Sequence, residues 1–172
     1  MGSLALFRLR PAFLVGLLVG ACGGAAVLPP SAPSPLLSKE LPAFHRPTID
    51  GRGFDTVLLR GKPVVVKFFA QYCEPCKKTL PAAERLHRDN PDVTFVGIDV
   101  DDYSTTAMKM TSAYGLTFPV IHDTGQVLKG RFRVADLPVT FVADRQGVVR
   151  WIGGPGQTER DLEQALGAVS AQ

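Results

Sequence analysis

An apolar segment that leads directly into two closely spaced cysteines constrains the fold of this chain most. Residues 64–69 (VVVKFF) form a nearly continuous β-branched and aromatic run, which is typical of a central strand covered on both faces. Cys73 and Cys76 follow, with Pro75 between them. Proline suits the first turn of a helix, because its missing N–H would have no partner there. The pattern predicts a strand, a turn and then a helix that begins at Cys73.

A cysteine at the start of a helix is chemically activated. Unpaired backbone N–H groups and the helix dipole lower the pKa of such a thiol from ~8.5 to a range of ~3.5–7.5. We therefore expect Cys73 to attack a disulfide and Cys76 to resolve the mixed disulfide. The loop between them is too short for a structural disulfide to stabilise the fold much. A copper site is the alternative, but Pro75 suits redox cycling better, so we expect neither a metal nor another cofactor.

Residues 1–22 have the pattern of an export signal. Arg8 and Arg10 precede an apolar segment over residues 12–20, as in signal peptides. Small residues stand immediately before Cys22 (VGAC), and this resembles the bacterial lipobox, in which the cysteine is lipidated. An uncleaved anchor or an ordinary cleaved signal are the alternatives. All three place the rest of the chain outside the cytoplasm, on the periplasmic side, and a lipid on Cys22 would tether it to the membrane.

Composition then divides the remaining chain into two parts. Residues 23–40 are rich in Gly, Ala, Pro and Ser, which predicts a flexible linker. Residues 41–172 are long enough for one compact domain. Without Arg8 and Arg10 the chain carries 17 basic and 16 acidic residues, scattered singly. A nucleic-acid partner is therefore not expected.

Alternating strands and helices are predicted within the domain. After the cysteine helix come a strand (residues 93–100), a helix (105–114), a hairpin (140–143 and 148–151) and a closing helix (158–169) capped by Thr158. Each of the three histidines, His45, His87 and His122, is expected on the surface or on a helix face. Three aspartates, Asp99, Asp101 and Asp102, are expected to cap the helix after them and to face solvent.

Several segments in the same order resemble the thioredoxin superfamily. They are residues 61–63 (GKP), 67–78 (KFFAQYCEPCKK), 114–120 (YGLTFPV), 137–141 (LPVTF) and 144–147 (DRQG). The resemblance is to the exported, membrane-tethered TlpA-like and ResA-like branch that serves cytochrome c maturation. It implies an α/β thioredoxin fold, with a central mixed sheet flanked by helices and an N-terminal β-hairpin extension. It also implies a cis peptide bond before Pro138, and a substrate groove lined by Leu137 and Pro138.

This sequence departs from that family around the cysteines. Tyr72 replaces a Trp, Lys67 replaces a buried carboxylate or Asn, and Thr79 replaces a Glu. Lys67 has two interpretations: its stem packs under the sheet edge while its amine reaches water, or its amine lies near the sulfurs and modulates them. Glu74 opposes the second effect weakly, because a carboxylate beside Cys73 disfavours the thiolate.

Peroxiredoxins share this fold, but their cysteine requires a Pro and a Ser or Thr at positions occupied here by Val66 and Ala70. Two hypotheses of different class result. The first is a membrane-tethered thiol–disulfide oxidoreductase that acts on protein disulfides or dithiols, with apocytochrome c as one candidate, and is recharged by a membrane electron donor. The second is a non-catalytic lipoprotein, either a metallochaperone or a docking module that uses the same groove.

Overall fold

The computed structural model describes residues 27–171, so the expected export signal and the lipidation of Cys22 lie outside the described residues. Within this range the chain forms seven strands and four α-helices. In order they are β1 (His45–Pro47), β2 (Gly53–Asp55), β3 (Val64–Phe69), α1 (Glu74–Asp89), β4 (Thr94–Asp99), α2 (Ser104–Ala113), β5 (Val120–His122), α3 (Val127–Arg131), β6 (Val139–Ala143), β7 (Val149–Gly153) and α4 (Glu159–Ser170). None of these helices has the length and apolar character needed to cross a membrane.

β3 lies at the centre of a five-stranded sheet with the order β5-β4-β3-β6-β7. It pairs in parallel with β4 and antiparallel with β6, and all six of its residues are buried. β1 and β2 form a separate antiparallel hairpin before the sheet. The mixed central sheet and the N-terminal hairpin that the family resemblance implied are thus both confirmed.

Local sequence signals set the helix boundaries. Cys73 is the N-cap of α1, Pro75 lies in its first turn, and the helix continues past Pro81 to its end. Thr158 and Asp161 form a reciprocal capping box at the start of α4, which satisfies N–H groups that otherwise have no partner. After α2 the chain turns at Gly115, whose φ of 58° favours glycine because it has no Cβ.

Aromatic clusters fill both faces of the sheet. Phe68, Phe132 and Phe141 contact one another with ring centroids 5.2–6.0 Å apart. His87 lies on the face of α1 that points to the sheet, with its ring centroid 5.4 Å from that of Phe95. The prediction of a helix-face position for His87 is confirmed. α1 is thereby anchored along its length to the sheet that presents Cys73.

The end of the predicted linker is part of the folded domain. Residues 30–41 lie along the outer edge of β7, where the N–H of Ala32 donates to the carbonyl of Ile152 at 2.7 Å. The indole of Trp151 donates to the carbonyl of Pro30 at 3.2 Å. An edge strand has unpaired backbone groups that favour such a partner. The flexible linker expected over residues 23–40 is therefore wrong for its last ten residues or so.

Candidate active site at the start of helix α1

Cys73 and Cys76 are joined by a disulfide bond, with an S–S distance of 2.07 Å and a Cα–Cα distance of 5.2 Å. The Sγ of Cys73 accepts a hydrogen bond from the backbone N–H of Cys76 at 3.1 Å. Cys73 is 6% exposed, whereas Cys76 is fully buried. Solvent therefore reaches only the first sulfur, which also lies where the unpaired N–H groups of the helix point.

A groove opens beside Cys73 and has a volume of about 570 Å³. It is lined by Tyr72, Cys73, Glu74, Pro75, Lys129, Ala135, Asp136 and Leu137. The Leu137–Pro138 peptide bond is cis, as the family resemblance implied. Tyr72 forms an exposed wall of this groove.

Three residues of the groove were not predicted from the sequence. Ala135 and Asp136 directly precede Leu137, so their proximity to the predicted groove was a usable signal. Lys129 had no such signal, because it belongs to the short helix α3, which the sequence pattern did not predict. The groove thus carries Leu137 as expected, together with a lysine and an aspartate, whereas Pro138 is not among the residues that line it.

Glu74 is exposed and forms an ion pair with Lys77, with Nζ and Oε1 2.5 Å apart. The hydrogen bond to Glu74 raises the pKa of Lys77. Exposed charges are screened by water and salt, and Lys77 partly neutralises this carboxylate. Glu74 therefore opposes a Cys73 thiolate less than an unpaired carboxylate would.

Lys67 is the one charged residue of β3 and is only 1% exposed. Its Nζ donates to Oγ1 of Thr140 on β6 at 3.4 Å. Because β3 is the central strand, no sheet edge is within reach of the amine, and the interpretation that it extends to water is wrong. Burial lowers the pKa of Lys67 to about 7, since the apolar interior disfavours the charged form.

The side chain of Lys67 borders a small cavity against helix α1. Thr79, Ala82 and Leu162 line the same cavity. The hydroxyl of Thr79 donates to the carbonyl of Cys76 at 3.2 Å. Lys67 therefore lies against the turn of α1 that follows the dithiol.

Two of the three aspartates do not take the positions expected for them. Asp99 is fully buried, and Asp101 is 9% exposed. Neither caps α2, whose N-cap is Tyr103 and which receives no side-chain cap. Only Asp102 is exposed as expected. The end of β4 lies between β3 and β5, and the neighbouring strands cover it.

Within residues 27–171, no three His, Cys, Asp or Glu side chains come together in an arrangement that could hold a metal ion. The two sulfurs are therefore without a third ligand of these types in the part of the chain that the structure describes.

Comparison with known proteins identifies relatives over most of the chain. The family model described as the AhpC/TSA family matches residues 37–152. Thiol-disulfide oxidoreductase ResA of Bacillus thuringiensis (strain Al Hakam) is 32% identical over 137 residues, which covers 78% of this chain and 79% of the relative. A secreted Mycobacterium tuberculosis disulfide oxidoreductase homologous to E. coli DsbE superimposes with a TM-score of 0.67 at 28% identity, covering 75% of this chain and 96% of that one.

The chain belongs to the AhpC/TSA family, with a thioredoxin-like fold. Within that family it is a thiol–disulfide oxidoreductase of the type that includes ResA and DsbE, with a Cys-x-x-Cys pair. The positions before Cys73 agree with this type, because neither Val66 nor Ala70 carries the hydroxyl group that a peroxiredoxin requires before its cysteine.

Replacing Lys67 by Met should stabilise the protein, and the gain should depend on pH. In the folded chain the amine is neutral above about pH 7, whereas in the unfolded chain it stays charged up to about pH 10.4. Unfolding therefore takes up a proton in this window, and the stability of the wild type rises with pH relative to the variant. We expect a gain on the order of 5 kcal/mol at pH 6, which falls by about 1.4 kcal/mol per pH unit above pH 7 and is nearly lost at about pH 10.

Urea unfolding of both proteins at pH 6, 8 and 9.5 measures this difference. Lys62→Met is the matched control, because Lys62 is exposed and its loss should change stability little at any pH. A constant difference between wild type and Lys67→Met across the series would contradict a neutral buried amine.

Proposed function

We propose that this protein is an exported, membrane-tethered reductant of protein disulfides, in which Cys73 attacks and Cys76 resolves. The observation that carries the proposal is the unequal accessibility of the two sulfurs at the start of α1. Cys73 borders the groove, while Cys76 is fully buried behind it. A substrate disulfide can therefore reach the sulfur of Cys73 but not that of Cys76.

The reaction proceeds through two exchanges. In the reduced protein the Cys73 thiolate attacks one sulfur of the substrate disulfide; a mixed disulfide forms, and the other substrate sulfur leaves as a thiolate that takes up a proton. Cys76 then loses its proton and attacks Sγ of Cys73, which releases the second substrate thiolate. The substrate gains two electrons, and the protein ends with the Cys73–Cys76 disulfide seen in the structure.

The family resemblance supports the direction of this reaction, and one relative supports its location. The Bacillus thuringiensis relative is named ResA, and the resemblance to that branch favours the reduction of exported proteins. Apocytochrome c is then the candidate substrate, and a membrane electron donor would restore the dithiol. The Mycobacterium tuberculosis relative is described as secreted. Together with the signal-like residues 1–22, these similarities favour a site of action on the periplasmic side.

Reduction of insulin disulfides by dithiothreitol provides the direct test. The wild type should accelerate it, and Cys73→Ser should abolish the acceleration because the attacking sulfur is gone. Cys76→Ser should instead accumulate a mixed disulfide with the substrate, visible on a non-reducing gel, since no sulfur remains to resolve it. Cys22→Ser is the control and should react like the wild type.

The competing function and the opposite direction give different results. Stoichiometric Cu(I) binding without turnover would support a metallochaperone. Equilibration with glutathione buffers measures the reduction potential: a value near or below ~−270 mV indicates a reductant, and one near ~−120 mV an oxidant.

Lipidation of Cys22 is tested by expressing the full chain in a bacterial host with labelled palmitate. We expect the protein to carry the label and to be found in the membrane fraction. Cys22→Ser should lose the label, because the thioether to the lipid can form only on that sulfur. A wild-type chain that is cleaved but unlabelled would contradict the lipid anchor and favour an ordinary signal peptide.

We further propose that Lys67, on the side of β3 that faces α1, modulates the pKa values of the two thiols. A charged amine stabilises nearby thiolates, and a neutral one can accept the proton of Cys76. Lys67→Met should therefore raise the pKa of Cys73 by about one unit, measured from the pH dependence of iodoacetamide alkylation. Lys62→Met should leave it unchanged. An identical titration in Lys67→Met would remove Lys67 from the mechanism.

A further inference from the structure

The carboxyl ends of three strands meet beside the loop that leads to Cys73. Asp99, the last residue of β4, lies in register with Phe69 at the end of β3 and with His122 at the end of β5. Asp99 is fully buried. The loop over residues 70–73 begins directly after β3, so this acidic end of β4 is its neighbour in the sheet.

Asp101 contacts this loop directly. Its Oδ2 accepts the backbone N–H of Gln71 at 2.8 Å, two residues before Cys73. The loop is further held by the N–H of Cys73, which donates to the carbonyl of Ala70 at 3.2 Å. The Asp101 carboxylate therefore holds the loop backbone from the side of β4, and the hydrogen bond between Cys73 and Ala70 closes the turn within the loop.

Asp99 in turn holds Asp101. Oδ1 of Asp99 accepts the N–H of Asp101 at 3.2 Å and lies 3.3 Å from Nδ1 of His122. Its Oδ2 is buried and receives no hydrogen bond from any of residues 27–171. An unpaired buried oxygen is costly when it carries charge, and a proton on Asp99 removes that charge.

We propose that Asp101 is a positioning residue for Cys73, and that Asp99 and His122 hold Asp101 against the backbone of Gln71. A disulfide exchange requires the attacking sulfur in line with the substrate disulfide, so a small displacement of the loop slows the reaction. The proposal deepens the proposed function and rests on it only in taking Cys73 as the reacting sulfur.

The charges around Asp99, Asp101 and His122 are consistent with a proton shared between the two carboxylates. Burial first, and then the hydrogen bond and charge of Asp101, raise the pKa of Asp99 to about 8. His122 faces the pair from β5, while Tyr72 and Asp102 lie on its exposed side. At neutral pH Asp99 is thus largely protonated, and its proton can be shared with Asp101. Above about pH 8, two adjacent carboxylates repel and the hold on Gln71 weakens.

Two measurements on the full chain separate positioning from charge. The first is the protection of the Gln71 amide against hydrogen exchange. The second is the rate of insulin reduction at a pH at which the Cys73 thiol is fully ionised, so that a change in its pKa does not affect the rate. Asp101→Ala should lower both by about tenfold. Asp101→Asn should restore both to within about twofold, because its amide oxygen still accepts the Gln71 N–H. Asp102→Ala, which removes an exposed neighbouring charge, should leave both unchanged.

Equal losses in Asp101→Ala and Asp101→Asn, or an equal loss in Asp102→Ala, would overturn the proposal in favour of a charge effect. Asp99→Asn tests the shared proton, because its amide donates at every pH. The wild type should lose Gln71 protection above about pH 8, and Asp99→Asn should keep it; the same pH dependence in both would overturn the proposal. Amide exchange needs no catalytic activity, so failure of the proposed function would leave this test intact.

Discussion

The complete burial of β3 fixes the position of the active site and of the elements around it. A strand that is paired on both sides and covered on both faces can move little, and its end therefore delivers the loop of Cys73 to a fixed point. α1 starts at that point and packs back along the sheet. The reacting sulfur thus lies at the junction of two rigid elements, which is where a preorganised nucleophile is easiest to hold.

The same burial explains the unusual charges around the site. A central strand has no exposed edge, so the amine of Lys67 stays in the interior and its pKa falls. Asp99 experiences the opposite effect at the end of the neighbouring strand, where burial and Asp101 raise its pKa. In both cases the low dielectric favours the neutral form. Two buried groups of the central sheet therefore have pKa values near neutral pH: Lys67 on the face covered by α1, and Asp99 at the carboxyl end of β4.

Much of this fold could be predicted from local pattern. The central strand, the helix that begins at Cys73, the later hairpin and the Thr158 cap all follow from periodicity and capping chemistry, and the structure confirms them. Strand β5 and helix α3 could not be predicted, because each has five residues or fewer and is held by neighbours more than by its own propensity. The packing of residues 30–41 on β7 could not be predicted for a related reason. Their Pro- and Ser-rich composition is typical of a linker, and they belong to the domain only because the free edge of β7 offers them hydrogen-bond partners.

The chemistry of this protein follows from its local sequence. Spacing, a proline and a preceding apolar strand place Cys73 at a helix start, and that position activates a thiol wherever it occurs. The surroundings of the sulfur depend instead on how distant strands are arranged in the folded chain. Whether Lys67 reaches water, and whether Asp101 faces solvent or holds Gln71, depends on which strands lie next to β3. Those neighbours come from distant parts of the chain, and no local pattern records them.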